Sequence, residues 1–201
     1  MVGSRTWMWR VVVVRIGLLA APLVVVIVAV WWRWPASEPA TVDVVADGPR
    51  YASLADLVGA SDLVVTGSVV SRNEGRTITD PVDPSAGIRT VLLEVTVEQV
   101  LLGVAPEPLV IEHEAALLDG TPITVNGVPP PEVGERGLYF LVAGGDEMSP
   151  HRAVVGDQGR YRLAGSDLIE LTSDPLAVDI ATSTLADLAD RIAGLPPLGE
   201  P

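Results

Sequence analysis

The clearest pattern in the chain is a run at positions 90–102 in which apolar and polar residues alternate. Val91, Leu93 and Val95 fall on one face of an extended strand, whereas Glu94 falls on the other. This period of two, rich in β-branched side chains, predicts a strand with one buried face and one face in water. A strand of this length usually bends, as strands do in a small barrel.

Shorter apolar segments on either side of this run predict further strands. They are residues 63–71, 109–114, 123–125, 137–143, 153–155, 160–163 and 168–171. Two short helices are predicted at 53–57 and 184–188, because each segment begins with Ser or Thr and has Asp three residues later. No helical pattern separates the strands, as a parallel α/β sheet would require. The sequence therefore predicts an all-β fold, a small antiparallel barrel with short peripheral helices.

An apolar run occupies residues 11–32 and is interrupted only by Arg15. A helix of this length reaches roughly 33 Å, close to the ~30 Å thickness of the hydrocarbon core of a bilayer. Trp9 and Trp31 stand near its ends, where interfacial tryptophans occur. The pattern predicts one N-terminal transmembrane helix, an uncleaved signal anchor within residues 1–35. The alternatives are a cleaved signal peptide, which would make the rest of the chain secreted, and a buried helix of a soluble protein.

Charge around the apolar run predicts its orientation. The arginines on its N-terminal side outnumber the one that follows it, Arg33. By the positive-inside rule, the N-terminus is then cytoplasmic and the remainder of the chain extracytoplasmic. Residues 36–50 contain proline and small polar residues and are predicted to be a tether. Residues 51–201 are predicted to form the extracytoplasmic β domain.

Overall composition narrows the function. The chain has 13 basic and 26 acidic side chains, a formal net charge of −13, and no cysteine. Such an acidic protein lacks the basic face that nucleic-acid binding requires. Without cysteine, a disulfide framework and thiolate metal sites are excluded. The expected partners are the membrane and an envelope protein or cell-surface ligand, with no nucleic acid.

Four segments together resemble a loose group of bacterial secreted or membrane-attached proteins that contain a small five-stranded barrel. The segments are SDLVVTGSVVS (61–71), VLLEVTVEQVLLG (91–103), PPPEVGERGLYFLVA (129–143) and GDQGRYRL (156–163). That barrel is OB-like and similar to the netrin and metalloproteinase-inhibitor module, and the resemblance implies the same fold here. The inhibitor module is disulfide-bonded, and its inhibition depends on an N-terminal cysteine. Because this chain has no cysteine, the resemblance does not imply protease inhibition.

The most suggestive cluster of reactive side chains is Glu112-His113-Glu114, and His151 is the other histidine. On a strand, Glu112 and Glu114 share one face, whereas His113 lies in phase with the core residues before it. A metal site needs three or four converging ligands, so a metal-dependent hydrolase at these residues is an alternative function. The favoured interpretation is two solvated glutamates and a histidine at the end of the core face. No residue is predicted to be catalytic, cofactor-binding or metal-binding, and no cofactor is expected.

Two loops and a group of arginines are candidate binding elements. Residues 72–87 are predicted to be a loop longer than a hairpin needs, and long loops are often functional. Residues 144–151 form the second candidate loop. Arg160 and Arg162, with Arg152 nearby, are compatible with a small anion site. The favoured interpretation is that they point outward from an edge strand, where charge blocks unwanted strand pairing.

These observations favour a non-enzymatic, membrane-anchored extracytoplasmic module that binds a protein or envelope ligand. The first alternative is the metal-dependent hydrolase at residues 112–114. The second is a structural subunit of a membrane complex that contacts its partner through the anchor. The sequence does not identify the ligand.

Overall fold

A computed structural model describes residues 40–144 and 149–196 of the chain. The chain divides into two compact units, Met1–Ser37 and Glu38–Pro201, and only the second contains described residues. The predicted signal anchor, its cleaved alternative and the cytoplasmic N-terminus all lie outside the described residues. Within the described part, no helix is long and apolar enough to cross a membrane.

Strands dominate this unit, with a few short helices around them. The strands are β1 Val42–Val44, β2 Leu63–Thr79, β3 Gly87–Leu102, β4 Leu109–Leu117, β5 Ile123–Val125, β6 Arg136–Ala143, β7 Arg152–Val154, β8 Arg160–Ala164 and β9 Asp167–Glu170. The helices are α1 Leu54–Gly59, α2 Pro175–Ala181 and α3 Leu185–Ala193. The fold is therefore mostly β with short helices.

Five of the strands close into a barrel. Going around the barrel, the order is β2, β3, β4, β7 and β6, and β6 pairs back onto β2. The neighbours are antiparallel except β4 and β7, which meet in parallel where Ile111 pairs with Arg152. On the other side of β6, its first half pairs with β8, which in turn pairs with β9. The predicted β-barrel with peripheral helices is confirmed.

The interior of the barrel is filled by aliphatic side chains and one tyrosine. Its buried members are Leu63, Val65, Val69, Leu93, Val95, Leu109, Ile111, Tyr139 and Leu141. Alternation along each strand directs these residues inward. Tyr139 has room because Gly137, two residues earlier on the same face of β6, has no side chain. A Cβ at Gly137 would lie 2.8 Å from Cζ and Oη of Tyr139.

A second core lies between the outer face of the sheet and the three helices. Phe140 and Tyr161 meet there edge to face, with ring centroids 6.2 Å apart. Leu57 of α1, Ile180 of α2 and Leu188 of α3 are fully buried against this face. The helices exist chiefly because they cover it, since helices this short are marginal on their own in water.

The helix starts follow the predicted capping chemistry. The hydroxyl of Ser53 accepts from the amide of Asp56, and the hydroxyl of Thr184 accepts from the amide of Asp187. Helix α2 was missed, although its sequence contains the same kind of signal. Asp174 caps it by accepting from the Leu176 amide, and Pro175 occupies its first turn.

The prediction of a long loop at residues 72–87 was wrong. Strand β2 continues to Thr79 and β3 begins at Gly87, so the connecting turn is only residues 80–86. Irregularities in the β2–β3 register, including one between Glu74 and Thr77, break the alternation of side chains. Because a bulge inserts an extra residue, the sequence of such a strand does not keep a period of two.

Residues 42–51, which we call the N-terminal strap, lie against the β domain. Most of this segment falls within the predicted tether at 36–50. Strand β1 pairs in parallel with β5, so that Val42 lies opposite Ile123 and Val44 opposite Val125. The Val42 amide also donates to the carbonyl of Pro122 at 3.0 Å.

Candidate functional site

Glu112 joins three strands and a loop through its carboxylate. Its side chain is 9% exposed. Oε1 accepts from the Thr90 hydroxyl on β3 at 2.8 Å and from Nε of Arg76 on β2 at 2.9 Å. Oε2 accepts from the hydroxyl of Ser149. Burial opposes ionisation, but these donors together hold the pKa of Glu112 below its usual range. The prediction that Glu112 is solvated was wrong, because β2 and β3 supply partners that lie far away in sequence.

His113 lies in phase with the buried residues Leu109 and Ile111 on β4, as predicted, but it does not end this face, because Ala115 is buried as well. Its side chain is 11% exposed, and Nδ1 lies 2.8 Å from the carbonyl oxygen of Glu114. A carbonyl only accepts, so Nδ1 carries the proton and Nε2 is left as an acceptor. Burial lowers the pKa of His113, and the cations of Arg160 and Arg72 lower it further against the raising effect of Glu114. The imidazole is therefore neutral at pH 7.

Arg160 lies inside the domain. Its side chain is 2% exposed, Nη2 donates to Oε1 of Glu135 at 2.6 Å, and Nη1 donates to the carbonyl of Pro129 at 2.5 Å. The interpretation of Arg160 as an outward-facing edge residue was wrong, because β8 pairs with both β6 and β9 and is not an edge. Arg162, on the same strand, is 47% exposed and lies 3.6 Å from the other oxygen of Glu135.

Tyr139 lies close enough to the Arg160–Glu135 ion pair for both charges to affect its pKa. Burial raises the pKa of Tyr139 to about 12, with Arg160 lowering it and Glu135 raising it by smaller amounts. Among the described residues, neither the Tyr139 hydroxyl nor Nε of Arg160 has a hydrogen-bond partner, although both atoms are buried. Arg160 is buried in its ion pair with Glu135, and Arg152 is paired with Asp62. These arginines therefore do not form an open anion site.

A cavity of about 200 Å³ lies between His113, Arg160 and the strap. Ala46 and Gly48 of the strap form one wall, and Val125 and Val128 form part of another. The strap thus covers the side of the domain on which the buried histidine and arginine lie.

Asn126 fastens the strap to the β domain. Its side-chain Oδ1 accepts from the Ala46 amide at 3.0 Å, and Nδ2 donates to the Ala46 carbonyl at 3.0 Å. Nδ2 also donates to Oδ2 of Asp157 at 2.6 Å. The amide of Gln158 makes a similar pair of bonds to the backbone N–H and C=O of Tyr51. Beyond β1, two side-chain amides therefore hold the strap by its backbone.

The strap contributes one carboxylate of its own. Oδ1 of Asp43 accepts from the Thr124 hydroxyl and from the Gly127 amide, both at 2.7 Å. These two hydrogen bonds lower the pKa of Asp43, and the bond from Thr124 has the larger effect on it. Asp43 is therefore ionised at neutral pH and caps the turn that follows β5.

The turn between β2 and β3 is ordered by its own carboxylates. Oδ1 of Asp80 accepts from the amides of Val82 at 2.6 Å and Asp83 at 3.1 Å, and Oδ1 of Asp83 accepts from the Ser85 amide at 3.0 Å. These bonds fix a tip that presents Val82, which is 91% exposed, more than any other large apolar side chain in the described residues. Among the described residues, the part of β2 that follows Ser68 pairs only with β3.

The metal site that the sequence left as an alternative does not converge among the described residues. Across residues 40–144 and 149–196, no three His, Asp or Glu side chains lie close enough together to hold a metal ion. Glu112 is occupied by Arg76 and two hydroxyls, while the Glu114 side chain is 47% exposed on the surface. His151, the other histidine that the alternative would use, belongs to the candidate loop at 144–151, of which residues 145–148 lie outside the described residues.

Comparison with known proteins adds no family to this picture. No protein-family model matches the chain, and no curated protein is similar to it in sequence.

Sequence reasoning missed the residues that hold the strap and the tip. The Asn126-Gly127 pair is a typical hairpin-turn sequence, and both residues have positive φ, 50° and 79°. No local pattern marks its partners Asp43 and Ala46, which lie about eighty positions earlier. The tip had a detectable signal in its Asp-Pro pairs, which favour local side-chain-to-backbone bonds.

Proposed function

We propose that the chain is a membrane-anchored, extracytoplasmic and non-catalytic binding module. Its barrel is OB-like, and its partner is an envelope protein that contacts the tip at residues 80–86. The barrel order β2-β3-β4-β7-β6 supports the OB-like assignment, since it is a closed five-stranded barrel with one parallel contact. The apolar run at residues 11–32 supports the membrane anchor, and the arginines before it support a cytoplasmic N-terminus.

The observation that carries the proposal is the ordered tip around Val82. An exposed apolar side chain on a turn fixed by internal hydrogen bonds loses little conformational entropy on binding. An apolar side chain that enters a pocket of a partner contributes binding energy through the apolar area that it removes from water. The reactive side chains, by contrast, are committed to the fold. Glu112 accepts from three donors, and the Nδ1 proton of His113 is held by Glu114.

The test is crosslinking and co-purification of the full-length chain from native membranes. We expect Val82→Asp to lose the partner, because a carboxylate cannot enter an apolar pocket without a large desolvation penalty. Val104→Asp is the matched control, since Val104 is also an exposed valine in a connection, 85% exposed. Equal retention of the partner by both variants would contradict the proposal.

A second comparison separates this function from the structural-subunit alternative. We would replace residues 1–35 by an unrelated membrane anchor in the full-length chain. A partner that remains bound supports binding through the β domain. A partner lost with the native anchor supports contact through the membrane segment and overturns the assignment to the tip. The metal-dependent hydrolase is the weaker alternative, because the Arg76 guanidinium already neutralises Glu112.

A further inference from the structure

The turn at Asn126-Gly127 contains a sequence prone to chemical change. Val125 and Val128 bracket it with reciprocal backbone hydrogen bonds of 3.0 and 2.9 Å. In an Asn-Gly pair, the backbone nitrogen of glycine can attack the side-chain carbonyl carbon of asparagine. Glycine permits this approach because it has no Cβ to obstruct it. The same pair is therefore a good hairpin turn and a chemically reactive site.

While the strap is docked, hydrogen bonds prevent both reacting groups from taking part in this reaction. The Gly127 nitrogen, which would be the nucleophile, donates its proton to the Asp43 carboxylate at 2.7 Å. The negative charge of Asp43 also disfavours loss of that proton. The Asn126 amide, which would be the electrophile, is fixed by its bonds to Ala46 and Asp157.

We propose that Asn126 is a deamidation site which the docked strap protects, and that its deamidation releases the strap irreversibly. In the reaction, a bond forms between the Gly127 nitrogen and Cγ of Asn126. The bond between Cγ and Nδ2 breaks, and ammonia leaves. Water then opens the cyclic imide at either carbonyl, giving aspartate or isoaspartate at position 126. Water is the only co-reactant.

The product cannot hold the strap as asparagine does. A carboxylate has no proton to donate to the Ala46 carbonyl or to Oδ2 of Asp157, which now lie 3.0 and 2.6 Å from Nδ2. It would instead place a second negative charge beside Asp157, and such pairs repel. Isoaspartate also lengthens the backbone of a two-residue turn. Release of Ala46 and Gly48 would uncover the cavity next to His113.

The first test measures the rate of deamidation at Asn126 in the full-length chain, purified in detergent, by peptide mass spectrometry after incubation at mildly alkaline pH. We expect Asp43→Ala to deamidate about tenfold faster than wild type, the factor that one hydrogen bond to a charged group represents. Asp47→Ala is the control, since the strap residue Asp47 is exposed and, within the described residues, its side chain makes no hydrogen bond to Asn126 or Gly127. Equal rates in wild type and Asp43→Ala would overturn the proposal.

The second test examines the product and holds even if Asp43→Ala fails to fold. Asn126→Asp reproduces the aspartate form, and hydrogen exchange reports on the amides of Val42 and Ala46, which donate to Pro122 and Asn126. We expect their protection to fall in Asn126→Asp and to recover in part when Asp157→Asn is added, because the repulsion is then removed. Wild-type protection in Asn126→Asp would overturn the proposed release.

Discussion

Arg160 and Glu135 form an ion pair inside the domain, with Nη2 of the arginine 2.6 Å from Oε1 of the glutamate. The two side chains are 2% and 8% exposed. Arg160 also donates to the carbonyl of Pro129, so the pair connects β8 to the segment that leads into β6. The charges of the two residues cancel one another in a region from which water is largely excluded. Each therefore depends on the presence of the other.

We predict that Arg160→Met destabilises the domain by about 3 kcal/mol, because it leaves the buried Glu135 carboxylate with only the half-exposed Arg162 at 3.6 Å. Arg160→Met combined with Glu135→Leu should recover most of that loss, since no uncompensated charge remains. Urea unfolding followed by near-ultraviolet circular dichroism of the buried tyrosines measures the free energy of unfolding. Arg162→Met, at the half-exposed neighbour, is the control and should lose no more than about 1 kcal/mol. A single Arg160→Met variant as stable as this control would refute the prediction.

Burial of His113 predicts a component of stability that depends on pH. Its pKa is lowered in the folded state by burial, with further lowering from Arg160 and Arg72. The unfolded chain then binds the proton more readily, so this component is fully present above the unfolded pKa of 6.5 and is lost as pH falls toward the folded value.

The measurement is the free energy of unfolding against pH for wild type and His113→Asn. We expect the difference between them to change below pH ~6.5 and to be constant above it. Carboxylates that titrate in the same range are present in both proteins and cancel in the difference. His151→Asn is the control for loss of an imidazole. A difference that stays flat from pH 7 downward would show that burial of His113 does not act in this way.

Gly137 is predicted to be intolerant of any side chain. A Cβ there would lie 2.8 Å from Cζ and Oη of Tyr139, a side chain that is fully buried. We expect Gly137→Ala to destabilise the domain by about 1–3 kcal/mol, the usual penalty for overpacking a core. Thermal unfolding of Gly137→Ala checks the prediction. Gly48→Ala is the control, since no atom lies within 4 Å of its added Cβ. An unchanged midpoint for Gly137→Ala would contradict it.

Local chemistry explains which parts of the fold could be predicted from sequence. The alternation in β3 and the Ser53 and Thr184 caps depend on neighbours within a few positions, and the structure contains all of them. Strand β2 was predicted only to Ser71, because residues 72–77 are all polar or glycine and show no alternation, and the register shifts once more between Glu74 and Thr77. A strand stabilised by pairing alone leaves little trace in the order of its side chains.

The polar residues of the site show what local sequence patterns cannot predict. Glu112 lies on a strand between an apolar residue and a histidine, which is compatible with either burial or solvation. Its burial is decided by Arg76 and Thr90, which the barrel brings across from two other strands. For Arg160 the deciding partner is Glu135. Whether a charged side chain is buried depends on whether a partner of opposite charge reaches it, and that is a property of tertiary structure.

Closure of the barrel also imposes an order of events on synthesis of the protein. Strand β2 completes its pairing only when β6 arrives, and Leu63 then lies opposite Leu141. The last gap is filled later still, when Arg152 of β7 reaches Ile111. Before β6 arrives, the nascent chain exposes an apolar β2 edge that has no partner, and such edges favour aggregation. The domain therefore matures only after most of its length has left the ribosome, and it needs protection from other chains throughout that interval.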